Sequence, residues 1–582
     1  MSGLKKNLSL VLLVIVCATA VFCVGNFDLF LNPYLINDDV QQQLFWMERW
    51  RDPLLFEGDF LTVYSESYVP IGVRAVYWFA SYWFNPLLFS NILTAILYLV
   101  TAGLFFVWGQ EFGDRLTAFL FVSAFFLFTG FLAEMAGGLS RSFVLPLLVA
   151  YLLFISQDKI FSASLVILIQ SFFNPYVFLL CLLTHTLIMA VKFGPSLFPT
   201  IRQSITNFGR MILRSRFATV FKSVRDPHSP KPEKRPVEPI WGILSQLLIL
   251  NAPVILGLGL ACVNVLWYQS HTGYLISWTE MIGKSEYGEL GRYELYPVPS
   301  FYYELIKPWI FNLSFPYWGS GAGWIMAFIT GGVFAYAAIN SKSHIKWIKW
   351  KGLYGFLFMI PASILLYVLA RVFLIKLFVP SRYIYYSLNL LYCVGFAMAL
   401  RIFLEKMNLK QFNLYIVLIV LMGFACIKSR HVEFYDFSYY SNLYKFIETT
   451  PKDSLIAGCP EIMDNVMTFG KRPAYLTYEL SHTWVQPYWN EVKKRTFDLF
   501  TAYYSSSPEE IKRFCKSNYI KYLIVRSEDF DRERLKISPS YFEPFNGFIW
   551  YLMNSNNYFA VLDKSVFPPI FEENGIRVLR IE

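Results

Sequence analysis

Long apolar runs separated by polar, aromatic-rich loops fill the first three quarters of the chain. Eleven of these runs, over 8–25, 86–108, 116–132, 141–156, 160–173, 175–191, 241–268, 318–339, 352–373, 383–403 and 412–428, are candidates to cross a bilayer. A spanning helix takes about 20 apolar residues. Asn174-Pro175 interrupts one long run, so 160–173 and 175–191 are either two short helices or one kinked helix. Beyond residue 428 the pattern changes to short β-like runs at Ser454–Ala457, Tyr522–Val525, Tyr558–Leu562 and Ile576–Ile581, with helical stretches around 488–504 and 508–518. The expected fold is therefore mainly α, a polytopic membrane bundle over 1–428. A small extracytoplasmic α/β domain is expected over 429–582.

Composition and charge sharpen this picture. The 582 residues are 55% hydrophobic and 19% aromatic, which excludes an ordinary soluble protein. The net charge of +10 sits in loops rather than on one face. Lys5 and Lys6, the loop 192–240, the loop 341–351, and Lys406 with Lys410 all fall on one side when the spans alternate. The positive-inside rule places them in the cytoplasm, which leaves 26–85, 269–317 and 429–582 outside. Nucleic acid is excluded as a partner on the same ground. The Pro-rich stretch 226–239 reads as a linker between a six-helix half and a five-helix remainder. Ala18-Thr19-Ala20 resembles a signal-cleavage site, but the 18-residue apolar core favours an uncleaved first helix. No organelle-targeting signal is visible, which fits a bacterial inner membrane with a periplasmic C-terminus. Cys459 and Cys515 pair only if their compartment is oxidising, and the other six cysteines read as small buried hydrophobes.

Candidate chemistry begins at Asn37-Asp38-Asp39, an acidic pair just beyond the first span. Carboxylates at a membrane boundary carry a solvation cost and mark function. The competing reading is helix capping, with Gln41 or Gln42 three residues on as a capping box. Capping explains one carboxylate and not two. Val40, Leu44 and Met47 then mark one face of an amphipathic helix expected to lie along the membrane surface. Glu134 precedes Gly137-Gly138 and reads as a second acidic candidate or as a solvated loop residue.

A first span, an outer loop opening on an acidic pair and a following surface helix resemble the GT-C superfamily, multi-pass glycosyltransferases that use polyprenyl-phosphate-linked sugars. Gly137-Gly138-Leu139-Ser140-Arg141-Ser142-Phe143 and Val379-Pro380-Ser381-Arg382-Tyr383 continue the likeness, each placing an Arg where a span starts on the outer side. The resemblance covers about the first 430 residues as architecture. It implies an inverting enzyme in which Asp38 or Asp39 is the general base, Asp39 ranking lower because it is the better cap. It implies cationic partners for the lipid phosphate, drawn from Arg141, Arg371, Lys376 and Arg382, whose bland reading is snorkelling to headgroups. In metal-dependent members the acidic pair also binds a divalent ion such as Mg²⁺ or Mn²⁺, although two carboxylates do not make a site. The implied partners are a lipid-linked sugar donor, a lipid, glycan or protein acceptor, and membrane lipid. Glu134 is implied as a second base or a sugar-binding group.

Two further outer segments carry polar and aromatic residues. The loop 269–317 holds His271, Glu280, Glu286, Glu289, Arg292 and Glu294, which suit either sugar binding or an interfacial aromatic belt. Glu479 and His482 lie in a polar patch of the C-terminal domain, read as a cover for the active site or an acceptor-binding surface. No hydrolase, zinc-protease or P-loop motif occurs. The alternatives to the enzyme are a transporter or flippase of lipid-linked saccharide, which would carry ionisable residues along a mid-span path, and an inactive membrane scaffold.

Overall fold

The computed structural model describes residues 2–194, 240–295, 349, 351–373, 379–407, 411–538 and 540–581. Among these, six helices are long and apolar enough to cross a membrane: Leu8–Phe30, Pro86–Gln110, Pro175–Gly194, Ser245–Leu266, Lys351–Val372 and Ser381–Lys406. A seventh arises if Arg115–Leu127 and Thr129–Met135, bent by 65°, count as one span. Ser140–Ser156, Ile160–Phe173 and Ile416–Lys428 are apolar but shorter. The expected count of eleven is not reached on these criteria, and the expected span 318–339 lies outside the described residues.

The breaks have local causes. Pro175 has no N–H and cannot continue the helix Ile160–Phe173. Asn174 then caps the next helix, its Oδ1 accepting from the amides of Tyr176 (3.0 Å) and Val177 (3.3 Å). Phe128 leaves helical geometry between Arg115–Leu127 and Thr129–Met135. The buried ammonium of Lys428 donates to the carbonyl of Leu127 at 3.0 Å, satisfying a group near the break.

The first helix is packed into the bundle. Val14, Ala18, Val21 and Phe22 are buried, while Leu8, Leu12 and Val16 are exposed on its other side, as expected of a lipid-facing stripe. At one end of the bundle Arg401 pairs with Asp114 (3.0 Å) and Gln157 donates to Glu111 (3.0 Å). The opposite end gathers the C-terminus of the first helix and the starts of the helices at Pro86, Ser140 and Ser381. There Asn91 donates to the carbonyls of Leu29 (2.9 Å) and Leu35 (3.1 Å), and Ser140 donates to that of Phe173 (2.6 Å).

At that end the loop after the first helix is tied to the chain beyond Lys428. Asn26 donates to Ser429 O at 3.0 Å, and His431 N donates back to Asn26 Oδ1 at 3.0 Å. Strand β1 (Leu35–Ile36) then pairs antiparallel with β2 (Tyr435–Asp436), Leu35 opposite Asp436. A four-stranded sheet follows, built from β3 (Leu455–Gly458), β4 (Ile520–Arg526), β5 (Pro569–Glu573) and β6 (Ile576–Arg580) in the order β3-β4-β6-β5. β3 and β4 are parallel, with the helices Pro460–Phe469, Gln486–Tyr503 and Pro508–Ser517 in the connection between them. β5 and β6 form a hairpin through Asn574-Gly575, both at positive φ, as a two-residue turn of the I′ kind requires.

Two expectations change. Tyr558–Leu562 is not a strand; Ala560–Leu562 is a short 3-10 turn. The missed strand starts at Pro569, the second residue of a Pro-Pro pair, a residue tolerated at a strand's first position. Cys459 and Cys515 are both free and buried, Cys459 Sγ accepting from Arg526 Nη2 at 3.3 Å.

Candidate functional site

Asn37, fully buried, organises the acidic loop. Its Nδ2 donates to the carbonyl of Glu433 at 2.8 Å, so the β1–β2 ribbon fixes its position. Its Oδ1 accepts from the amide of Asp39 (3.2 Å) and from Arg141 Nη2 (2.9 Å). Asn37 thus takes the turn role expected of Asp39. Asp39 makes no side-chain capping bond to the helix Val40–Gln43. Its Oδ2 is ion-paired with Arg141 Nη1, and its Oδ1 accepts from Gln42 Nε2 at 2.5 Å.

Asp38 is placed differently. Its Oδ1 accepts from the Asp39 amide at 2.9 Å, and among the described residues no cation is hydrogen-bonded to it. Burial, and next the charge of Asp39, hold its carboxyl above the usual carboxylate range, against the opposing pull of the Asp39 amide and Arg141. One carboxylate of the pair is therefore committed to structure while its neighbour keeps an oxygen without a hydrogen bond among the described residues.

Arg141 reaches Asp39 because the chain before it lies flat against the acidic loop. Gly137 and Gly138 sit at φ +87° and +61°. A Cβ on Gly137 would stand 3.1 Å from Asn37 Oδ1 and 3.0 Å from Val40 Cγ2. Tyr77 Oη donates to the Gly137 carbonyl at 3.2 Å and holds the loop from behind. Glu134, three residues earlier, is not a solvated loop residue. It lies in the last turn of the helix Thr129–Met135, and its Oε2 is buried with no hydrogen-bond partner among the described residues.

Arg382 opens the helix Ser381–Lys406 and lies over the ring of Tyr176, 5.5 Å from its centre. Its charge acts on Glu134 and on Asp39, so it shares this end of the bundle with the acidic loop. Arg371 instead sits against Tyr367 of its own helix, with Nε 3.3 Å from the phenol oxygen. Lys376 lies outside the described residues. The structure thus brings together Asp38, Asp39, Glu134, Arg141 and Arg382 from the expected set.

Gln42 connects this cluster to residues more than 400 positions away. Its Nε2 faces Asp39 and also lies 3.3 Å from Glu479 Oε2. Only a donor fits there, so Oε1 faces His482 Nε2 at 3.0 Å. That nitrogen must carry the proton, which leaves Nδ1 to accept from Tyr64 Oη at 3.0 Å. Burial, then the charge of Arg292, push the imidazole down to about 3, so His482 is neutral. Arg292 pairs with Glu479 at 3.1 Å. Asp464 accepts from the amides of Tyr478 and Glu479, both at 3.1 Å, and burial with the nearby Glu479 charge holds it well above the carboxylate range.

The segment 40–50 is therefore not a helix on the membrane surface. It is a single turn, Val40–Gln43, followed by 3-10 structure over Phe45–Trp50. Val40, Leu44 and Met47 are buried as their spacing predicts, but Gln41, Gln42 and Glu48 are buried as well. Gln41 bonds Asn465 of the helix Pro460–Phe469, so the segment is covered by the later part of the chain. In the loop 269–317, Glu286 is buried and accepts from Trp489 Nε1 (3.0 Å) and Lys493 Nζ (3.3 Å), which clamps the loop down.

Of the two carboxylates implied to bind a divalent ion, Asp39 is already occupied. Both oxygens of Asp39 already hold Arg141 and Gln42, and a cation would have to displace a guanidinium. Among the described residues, no three His, Cys, Asp or Glu side chains are grouped to hold one.

Gln42 and Tyr64 are not legible as site residues, and Arg292 is legible only as one of several polar residues of its loop. Gln42 follows the acidic pair closely, but a glutamine in a polar run carries no signal of its own. Arg292 and Tyr64 meet the site only through the fold.

No protein-family model matches the chain, and no curated protein matches it. Solved structures do. The apo oligosaccharyltransferase of Archaeoglobus fulgidus aligns over 91% of this chain and 71% of its own, at 13% identity and a TM-score of 0.45. The same archaeal enzyme with Zn and sulfate aligns over 91% and 69%, at 11% identity and a TM-score of 0.42. Its complex with an inhibitory peptide and a dolichol-phosphate aligns over 90% and 69%, at 11% identity and a TM-score of 0.37.

Proposed function

We propose that this protein is a membrane glycosyltransferase that transfers a sugar from a polyprenyl-phosphate carrier to an acceptor hydroxyl, with Asp38 as general base. The observation that carries the reading is the division of labour in the acidic pair. Asp39 is fully engaged by Arg141 and Gln42, while Asp38 has no cation hydrogen-bonded to it among the described residues and a raised pKa. A base works best when its pKa lies closer to the working pH, and a carboxylate salt-bridged to Arg is a poor base.

Asp38 takes the acceptor's proton as the acceptor oxygen bonds to the anomeric carbon. The bond from that carbon to the phosphate oxygen breaks, and its electron pair leaves with the lipid phosphate. One displacement inverts the anomeric centre. Arg382 binds the departing phosphate: its guanidinium makes no hydrogen bond among the described residues, whereas Arg141 is committed to Asp39 and Asn37. Arg141 acts through Asp39 and is a positioning residue. The reaction face is the outer one, and residues beyond 428 cover the acidic loop there.

The test is sugar transfer or release from radiolabelled polyprenyl-phosphate sugars by the purified full chain in lipid nanodiscs. Turnover of at least one such donor is expected. Failure of every donor, from protein that is folded and monodisperse, would overturn the reading.

A further inference from the structure

Beside Arg382 the same end of the bundle holds buried polar atoms that the reaction above does not use. Glu134 Oε2 and Tyr386 Oη are each buried without a hydrogen-bond partner among the described residues, and so is Arg141 Nε. Tyr386 is only 6% exposed. Leaving a buried polar group unpaired is costly, more so when it is charged, so such groups collect where a ligand completes them. These residues lie within electrostatic range of one another. Arg382 and Tyr386 are one helical turn apart on Ser381–Lys406, so they share a face. The charges of Glu134, Arg382 and Arg141 all act on Tyr386, and those of Arg382 and Arg141 act on Glu134.

The chemistry of the set is mixed. Arg382 offers cationic donors, Glu134 an acceptor and Tyr386 a hydroxyl that donates or accepts. A bare phosphate would meet repulsion from Glu134. A hydrocarbon would leave every polar atom unpaired. A ligand carrying an anion and a nearby hydroxyl satisfies all of them.

We infer that Glu134 and Tyr386 form a sugar-reading subsite, binding a ring hydroxyl of the donor while Arg382 holds the adjacent phosphate. The inference rests on the glycosyltransferase reading, and assigns to these two residues discrimination between a sugar-bearing lipid phosphate and the bare lipid phosphate left after transfer. Release of the spent carrier follows, because the sugar's hydroxyl leaves with the product and the repulsion of Glu134 for phosphate returns.

The test compares binding of undecaprenyl phosphate with that of undecaprenyl-phosphoryl-hexose to the full chain in nanodiscs, by native mass spectrometry and competition. Wild type is expected to prefer the hexose-bearing lipid. Glu134→Gln and Tyr386→Phe, which barely change side-chain volume, are expected to weaken that lipid about tenfold or more while leaving the bare phosphate unchanged or tighter. Arg382→Gln is expected to weaken both. Equal weakening of both lipids in Glu134→Gln and Tyr386→Phe, or no change in either, would overturn the subsite and leave the glycosyltransferase reading standing. Failure of wild type to bind either lipid would overturn both.

Discussion

Arg141 is bonded to both Asp39 and Asn37, one guanidinium nitrogen to each, across a separation of more than 100 residues. This fork spends Asp39 on structure and leaves its neighbour to act. It also makes Arg141 a residue whose charge alone is not enough. Arg141→Lys keeps the charge and loses the fork. Sugar transfer is expected to fall about tenfold to a hundredfold in Arg141→Lys and further in Arg141→Ala, with donor binding less affected than turnover. Unchanged transfer in Arg141→Ala would remove it from the machinery.

Gly137 lies against the acidic loop. Gly137→Ala places a methyl group against Asn37 Oδ1 and strains a backbone at φ +87°. The cost in stability is expected to be about 1–2 kcal/mol. The fall in transfer should exceed what that instability explains, because Asn37 positions both Arg141 and the Asp39 amide. Thermal melting beside turnover separates the two effects.

His482 links stability to pH. Its folded-state value, near 3, lies below the ordinary 6.5, so its contribution is complete above about pH 6.5 and is lost as pH falls toward 3. The unfolded chain binds the proton first. Between pH 7.5 and pH 5 this one group is expected to cost about 2 kcal/mol of stability. His482→Gln should flatten the acid side of the stability curve. An identical acid-side slope in that variant would contradict a neutral, buried imidazole.

What the chain discloses before folding, and what it withholds, follows from the range of each interaction. Asn174-Pro175 is a local signal and leads to the break it suggests, and six of the apolar runs lead to helices long enough to cross a membrane. The acidic pair is visible for the same reason, since two adjacent carboxylates need an explanation beyond capping. Their unequal roles are not visible. Asp39 looks the better cap, but Asn37 takes the turn because Glu433, 396 positions along the chain, holds its amide. Gln42 belongs by pattern to the wet side of a surface helix. It is buried instead, because residues beyond 428 fold back over the loop and supply His482 and Glu479. Residues that meet across hundreds of positions leave no trace in periodicity.

The pH dependence of turnover reports the charge of Asp39 on Asp38. The base must be deprotonated, so transfer falls as pH drops through its pKa, and burial with the Asp39 charge sets that limb above the usual carboxylate range. Asp39→Asn removes the like charge and is expected to move the acid limb of kcat/KM to lower pH. A limb that stays in place or rises would mean that Asp39 does not act on the base.

The most direct measurement compares Asp38→Asn with Asp39→Asn in sugar transfer from a radiolabelled polyprenyl-phosphate sugar, with folding checked by melting temperature. Loss of a general base costs about 10²–10⁴ in rate. Asp38→Asn is expected to abolish transfer to within that range, while Asp39→Asn, which keeps an oxygen for Arg141, retains a measurable fraction. Full activity in Asp38→Asn, or a deeper loss in Asp39→Asn than in Asp38→Asn, would contradict the account.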